Sequence, residues 1–590
     1  MRQRGRYILG IAVVMAMLLA ACTKSTTGGT SASPSASAAA ASGANFDGWN
    51  NAEATKLMKD SDKELDEAKR VEEFKKIGAL TFKDIASIPL YAKPSILVWN
   101  SAKLGADLDF NGGQAAFSGE LPKWSLKGSD TLKFGAEQWP TCLNQITSCA
   151  NSSWLFYLTN VAYPKLTQLT AGNEYEPSYL IKEIPSKEKG TLTESPFSVT
   201  YDLNDANWAD GTKITGEDIK FTWQAVMKTP DALSRVGYEK ITDVVTAGSK
   251  VTIKFKEPYA PWKDLFGSGA GGIMEAKAFN NNPNVTGKMA TDLPFSGGPY
   301  KIDKFDTNEM DLSRNDKYTG PKPAIAKVIF LNKQAARQAG EVAAFRTGEV
   351  DAFFPQPADA LSEVISGKVA NGKVKAKGGT QYEGLWFNLD MHPVDELAVR
   401  QAILFGLDRQ AAIDKVVNDL LAPTGFKAKV SPCLLNVPDN AGGKWCNNDF
   451  PVTQDQAKAE DILVKAGWKP FDDAGKPIKE ADLPKTLGDN ATITLQDWKK
   501  NGKTLEFKYG TTAGNTGREQ FQLILVKQLE GIGIHVRTDN SVAGYLFQTR
   551  QPSRDWQVLM YASVATPDPT ATSNWAGDQI PPCKTCPGNG

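Results

Sequence analysis

YEGLWFNLDMHPVDELAVRQAILFGLDRQAAIDKVV, Tyr382 to Val417, is the stretch whose reading decides the fold. From Tyr382 to Asn388 bulky and aromatic side chains dominate, which predicts a buried strand. His392-Pro393 makes a turn, and Leu397, Arg400, Ile403 and Leu407 then recur at helical spacing. A buried strand feeding a helix is the repeating unit of α/β architecture, in which helices cover a sheet. Trp386 faces a cleft or the core according to register, because a slip of one residue reverses the face of every side chain.

The pattern extends in both directions. Phe197 to Val226, FSVTYDLNDANWADGTKITGEDIKFTWQAV, alternates along a strand to Leu203, turns at Asp210-Gly211 and caps a helix with Thr215-Gly-Glu-Asp218. Further strands are expected at Val251–Phe255, Val328–Leu331, Val350–Phe353, Ile534–Val536 and Val558–Ala562. Helices are expected at Ala335–Thr347 closed by Gly348, and at Phe521–Leu529 closed by Gly531. Near the amino end, Ser61-Asp-Lys-Glu64 reads as a capping box for a helix striped with Leu65, Ala68, Val71, Phe74 and Ile77. Ile88–Tyr91 and Ile96–Trp99 read as two short buried strands. A chain of 590 residues is too long for one core and divides into two or more domains.

Several of these segments share wording with a known family. FN, a turn with Pro, VRQAI and DR in Tyr382–Val417, the W-DG-DI-F-W series from Trp208 to Trp223, and Phe295-Ser-Gly-Gly-Pro-Tyr300, with Gly297 in the place of a Thr, carry the likeness. They resemble the family 5 extracellular solute-binding proteins, the dipeptide- and oligopeptide-binding lipoproteins of bacterial ABC importers, whose first strand Asp130–Glu137 resembles and whose first helix Leu155–Leu169 resembles. The resemblance implies a two-lobed α/β fold of the periplasmic-binding-protein kind, type II with an extra subdomain, in which Tyr382–Val417 follows a crossing between lobes beside the ligand cleft. Residues 46 to 120 resemble that family's carboxyl-terminal part moved to the front, so the chain reads as circularly permuted; a mis-joined gene model or a shuffled fusion is the alternative. Permutation is tolerated where the joined ends lie close and the cut falls in an exposed loop. The implied division is 1–21 signal peptide, 22–45 tether, 46–96 second lobe, 97–170 first lobe, 171–290 its extra subdomain, 291–384 first lobe and 385–590 second lobe. The return crossing is expected near Leu97 to Gly105, next in space to the crossing before Tyr382–Val417.

Lys plus Arg equals Asp plus Glu at 67 each, which leaves no basic excess for a nucleic-acid partner. Aromatic residues make up 9% of the chain, with 14 Trp, which suits a cleft that meets its ligand with ring faces; for most of these rings the core is the commoner destination. Arg2, Arg4 and Arg6 followed by the apolar run Tyr7–Ala21 form an export signal, too short for a comfortable membrane span. The run ends in Leu19-Ala20-Ala21-Cys22, which resembles the lipobox of bacterial lipoproteins and makes Cys22 the lipidated residue; a plain secretory signal with a chance Cys is the alternative. Thr23 to Gly43 supplies a Ser/Ala/Thr/Gly-rich tether. The protein is thus expected on the extracellular or periplasmic face of the cell membrane, as a monomer. Cys142/Cys149, Cys433/Cys446 and Cys583/Cys586 read as disulfides closing local loops, as befits an exported chain. A zinc half-site at Cys583-Lys-Thr-Cys586 lacks a second such pair, and a redox centre there lacks a helix start.

No catalytic arrangement is apparent: His392 and His535 are the only histidines, one at a Pro turn and one in a short strand, and no pair of carboxylates is marked out by its setting. Gly269–Gly272 lacks the Lys-Ser/Thr of a phosphate loop and reads as a loop. No cofactor or metal is expected. From the resemblance, Asp568 in Thr566-Pro-Asp-Pro-Thr570 is the candidate anchor for a peptide's amino group, the alternative being a plain turn. Glu383, Gly384, Leu385 and Trp386 are candidate cleft-wall residues, because strand backbone there pairs with bound peptide in the family; Trp139 and Trp575 are secondary candidates. The implied function is capture of oligopeptides between lobes and delivery to an ABC permease, without chemistry; a receptor for oligosaccharide or another polar solute, a secreted peptidase, and a sensory or adhesive lipoprotein are the alternatives.

Overall fold

The computed structural model describes residues 43–113, 116–267, 271–433, 443–488 and 490–583. The export signal, Cys22, the tether to residue 42, Gly269, Ala270 and Cys586 lie outside the described residues. Among the described residues no helix is long and apolar enough to cross a membrane.

Helices α1 (Ala52–Ser61) and α2 (Glu67–Asp84) lead into strands β1 (Ser87–Ala92) and β2 (Ser95–Asn100). Strand β3 (Thr131–Ala136) and helix α3 (Ser153–Thr159) follow. Next come β4 (Leu192–Glu194), β5 (Phe197–Asp202), α4 (Gly216–Lys228), β6 (Ile241–Ala247) and β7 (Lys250–Phe255). Then β8 (Tyr300–Phe305), β9 (Glu309–Arg314), β10 (Lys327–Asn332), β11 (Ala352–Phe353) and β12 (Gly372–Lys377) lead to β13 (Gln381–Phe387) and α5 (Leu397–Gly406). Finally β14 (Glu506–Gly510), α6 (Thr516–Glu530), β15 (His535–Thr538) and β16 (Val558–Val564) complete the frame.

The first lobe is built on a seven-stranded sheet ordered β8-β9-β10-β3-β11-β2-β12, the second on a five-stranded sheet ordered β1-β13-β16-β14-β15. A separate four-stranded sheet is ordered β4-β5-β7-β6; we refer to it and the loops around it as the subdomain, and its Val199 and Ile253 share one buried cluster with Leu132 and Phe134 of the first lobe. Strand alternation divides the core: Leu97 and Trp99 of β2 join that cluster, whereas Ile96 and Val98 face a second one that continues into the second lobe around Trp386, Phe507 and Leu525.

Two chain crossings join the lobes, β1 to β2 through Lys93-Pro94 and β12 to β13 through Gly378-Gly379-Thr380. They run side by side: Ser95 pairs with Lys377, Ala92 with Tyr382, and the Lys93 amide donates to the Gln381 carbonyl at 2.8 Å. The return crossing therefore precedes Ser95 and does not fall at Leu97–Gly105. For the same reason Gln381–Gly384 belong to the second lobe's sheet, and Ser95 and Ile96 to the first. Residues 44–92 pack in the second lobe, where the Asn45 amide donates to Gln579 at 3.1 Å and the Gly577 amide to Thr55 Oγ1 at 2.9 Å.

The capping box at Thr215 forms as expected, with Asp218 answering the Thr215 amide at 2.9 Å. The box at Ser61 does not. Ser61 ends α1, its hydroxyl donating to the Met58 carbonyl, and Asp66 caps α2 by accepting from Ala68 and Lys69. Helix α3 stops at Thr159, short of Leu169, because Pro164 disfavours helical geometry at Tyr163; Thr167–Leu169 is a short strand instead. Cys142 is bonded to Cys149 and Cys433 to Cys446, with Cα separations of 5.9 and 5.8 Å. Cys583 is also disulfide-bonded.

Candidate ligand-binding cleft

A cavity of about 400 Å³ lies between the lobes, within the range of small-ligand sites. The second lobe lines it with Trp386 of β13, Tyr561 to Val564 of β16, Trp575 and Phe46. The first lobe contributes Trp154, Phe156 and Tyr157 of α3 with Phe354, and the subdomain contributes Tyr238, Tyr259 and Asp264. The first crossing reaches it through Lys93, and Gln381, the first residue of β13 after the second crossing, lies beside it. Around the rim the lobes touch: Asn151 Nδ2 donates to Gln551 Oε1 at 2.9 Å, and the Ser234 and Ser573 hydroxyls meet at 3.0 Å.

The register settles which way Trp386 points. Tyr382, Gly384 and Trp386 share one face of β13, and Trp386 turns back over Gly384, where an added Cβ would come within 3.2 Å of the indole. The absent side chain lets the indole lie flat against Tyr561, the cross-strand partner of Gly384, with ring centroids 4.7 Å apart at 14°. Its Nε1 donates to the Tyr561 carbonyl at 2.9 Å, and Trp575 extends the platform at 5.6 Å. Trp575 Nε1 is buried without a hydrogen-bond acceptor.

The opposite face of β13 is committed to the interior. Glu383 is buried and grips Arg518 of α6, which donates from Nε at 3.0 and 3.2 Å and from Nη2 at 2.8 Å; its Nη1 donates to Thr512 Oγ1 at 3.0 Å. Arg518 touches the cavity, whereas Glu383 stands behind it. Glu137 lies near the same cluster and takes hydrogen bonds from Gln356 and Trp154, yet burial raises its affinity for a proton.

Trp386 and Trp575 therefore face the cavity. Glu383, Gly384 and Leu385 do not line it, and Trp139 stacks on Phe305 at 5.8 Å while its Nε1 donates to the Asp306 carbonyl, away from it. Asp568 stands just outside the wall in an ion pair with buried Arg70, whose Nη2 also donates to the Pro569 carbonyl at 2.6 Å. A carboxylate already matched by a guanidinium is a poor partner for a second cation. Lys93, Gln381, Tyr157 and Asp264 were missed. A lysine between two apolar strands was a usable sign for the first; nothing local marks Asp264. Neither histidine lines the cavity: His392 faces Asp395 near the surface, and His535 sits between Asp497 and Glu530 at 2.6 and 2.9 Å. Gly271 and Gly272 lie in a loop whose Gly272 amide donates to Gln145 Oε1. No cluster of metal-ligating side chains occurs among the described residues.

A model of the bacterial extracellular solute-binding proteins, family 5 middle region, matches residues 187–579, well over half of the 590. The chain belongs to this family. Family 5 proteins bind solutes and are not enzymes. Among curated relatives, the probable monoacyl phosphatidylinositol tetramannoside-binding protein LpqW of Mycobacterium tuberculosis is 30% identical over 162 residues, 26% of this chain and 24% of its own. The oligopeptide-binding protein AppA of Bacillus subtilis is 25% identical over 363 residues, 59% of each chain. The chain thus spans between a quarter and three fifths of these relatives' length. NikZ from Campylobacter jejuni, solved with Ni(L-His), superposes with a TM-score of 0.58 at 20% identity over 77% of this chain and 84% of its own, a likeness of fold.

Proposed function

We propose that this family 5 protein is a lipid-anchored receptor that captures oligopeptides between its lobes and hands them to an ABC permease, acting as a monomer on the outer face of the membrane. The carrying observation is the cavity walled by both lobes and by Lys93 of the first crossing, so that one bound molecule ties the lobes together. Closure then reports loading, because a ligand shifts the lobe equilibrium by as much as it favours the closed form. AppA, an oligopeptide-binding protein by name, supports peptide as the cargo. Leu19-Ala20-Ala21-Cys22 and the Ser/Ala-rich run after it support the anchor. Native mass spectrometry of protein purified from its own cells tests the reading: peptide masses are expected, and sugar-spaced masses without peptide would overturn it.

A second reading has an observation of its own. Arg70 engages Asp568, and the Trp386–Tyr561–Trp575 platform offers ring faces to a neutral polar solute such as an oligosaccharide. LpqW, named for a mannoside ligand, points the same way. We also propose that the chain order is a circular permutation of the family's, a reading supported by the packing of residues 44–92 against the segment around Gln579.

A further inference from the structure

We propose that Asn151 is the latch of the cleft: it ties the first lobe to a main-chain carbonyl that the second lobe leaves free at Phe547, and so sets how long a captured molecule stays bound. The inference rests on capture between the lobes, proposed above, and holds for peptide or saccharide cargo alike.

Two segments meet at the edge of the cavity. In the first lobe the Cys142–Cys149 disulfide closes a short loop, and Gln145, Ile146 and Asn151 of this stretch line the cavity. Facing it in the second lobe is the helical stretch 543–553, which contributes Phe547 and Gln551 to the lining. Asn151 Nδ2 donates to the Phe547 carbonyl and, at 2.9 Å, to Gln551 Oε1; Thr141 Oγ1 donates to Gln548 Oε1 beside them. The loop is firmly seated on its own side. The Leu143 amide donates to the Met289 carbonyl at 2.7 Å, Asn144 Nδ2 to the Val285 carbonyl at 3.1 Å, and the Ile146 carbonyl accepts from the Leu233 amide at 2.8 Å.

The sequence explains why the Phe547 carbonyl is free. Residues 546–550 wind as a π-turn, in which hydrogen bonds span five residues instead of four. The Gln551 amide, which an α-turn would give to Phe547, donates to Leu546 instead. Five residues beyond Phe547 stands Pro552, which has no amide to give. A carbonyl without a helical partner needs another donor, and Asn151 supplies it from across the cleft. Phe547 also packs edge-on against Tyr561 at 5.9 Å, and Tyr561 is part of the Trp386 platform. The residue that offers the carbonyl is therefore seated on the surface that meets the ligand. Bonds that span the lobes exist only while the lobes are closed, so they slow opening and release and leave the rate of encounter alone.

The test loads wild type, Asn151→Ala, Pro552→Ala and the double variant with two probe mixtures, random tri- to hexapeptides and malto-oligosaccharides. Native mass spectrometry follows release after dilution, and thermal unfolding checks each fold. Whichever mixture the wild type retains, Asn151→Ala is expected to release it roughly tenfold faster, with association changed by less than about threefold. Pro552→Ala restores an amide that can serve the Phe547 carbonyl within the helix, and is expected to speed release several-fold with the melting temperature little changed. Because both substitutions undo one contact, the double variant should release no faster than Asn151→Ala alone. A merely structural contact would lower the melting temperature of Asn151→Ala and leave its release rate at the wild-type value. That result, or two effects that multiply in full, would overturn the latch while leaving capture intact. A wild type that retains neither mixture would remove the capture reading and the latch with it.

Discussion

Arg70 and Asp568 lie 498 positions apart in sequence and form one buried pair. Besides that pair, Arg70 donates from Nε to the Ser61 carbonyl at 3.1 Å and from Nη2 to Pro569, so it clamps α2 to the turn that follows β16. Arg70→Met leaves the Asp568 carboxyl group without its partner and largely shielded from water, which costs about 3–5 kcal/mol for a broken buried pair. The lower end applies because Asp568 keeps 15% of its side-chain exposure. Arg70→Met/Asp568→Asn removes the stranded charge but not the two orphaned carbonyls, so urea unfolding should recover only part of the loss. Full loss in the double variant would mean that packing of the guanidinium stem, not charge, is what matters. No window of sequence announces this pair, which is why Asp568 reads as a free anchor. Local pairings were legible for the opposite reason: Cys142 and Cys149 are separated by seven positions, and a short loop holds them together.

The same distinction between near and far governs the elements. The cap of α4 was readable because Thr215 and Asp218 complete their exchange within one turn. At the front of α2, Ser61 and Asp66 offered competing starts, and only the chain's exit from α1 decides between them. The crossings were legible as a pair, but their position was misread by a few residues, since strand ends depend on partners from the other lobe. At that boundary Gly112 approaches Gly379 so closely that a Cβ on either would overlap backbone of the other's loop. Neither glycine has positive φ, so the requirement there is space, not conformation. Gly379→Ala should therefore cost at least about 1–3 kcal/mol, as overpacking does, because backbone cannot step aside as a side chain can. Thermal unfolding measures it. An unchanged melting temperature would mean that the loop at Gly112 gives way before the second crossing, and would remove this contact as a brace for the hinge.

At the scale of the whole molecule, the order of the chain and the order of the fold part company. Residues 44–92 complete the second lobe's sheet through β1, yet they precede every strand of the first lobe in sequence. The alternating elements announced α/β layers, because periodicity survives any reordering of segments, whereas the two lobes followed from the resemblance alone. The meeting of Asn45 with Gln579 was legible only through resemblance, since no local signal marks it. If the permuted order is a matter of connection alone, restoring the other order should leave the fold intact. We expect a chain of residues 129–590, a short Gly/Ser linker and then residues 44–128 to fold, because Asn45 already touches Ala576 and Gln579 at 3.0 and 3.1 Å. The new cut falls between Gly128 and Ser129, in an exposed turn. Each doubling of a flexible connection costs only about 0.6 kcal/mol, so urea unfolding should place the rearranged chain within about 1 kcal/mol of the parent. It should also retain the same ligand masses, since both crossings, Lys93 and Asp264 remain in unbroken segments. A rearranged chain that stays unfolded while the parent is stable would show that residues 44–128 must be joined directly to β3, and the permutation would then be a requirement of this fold, not a change of connection.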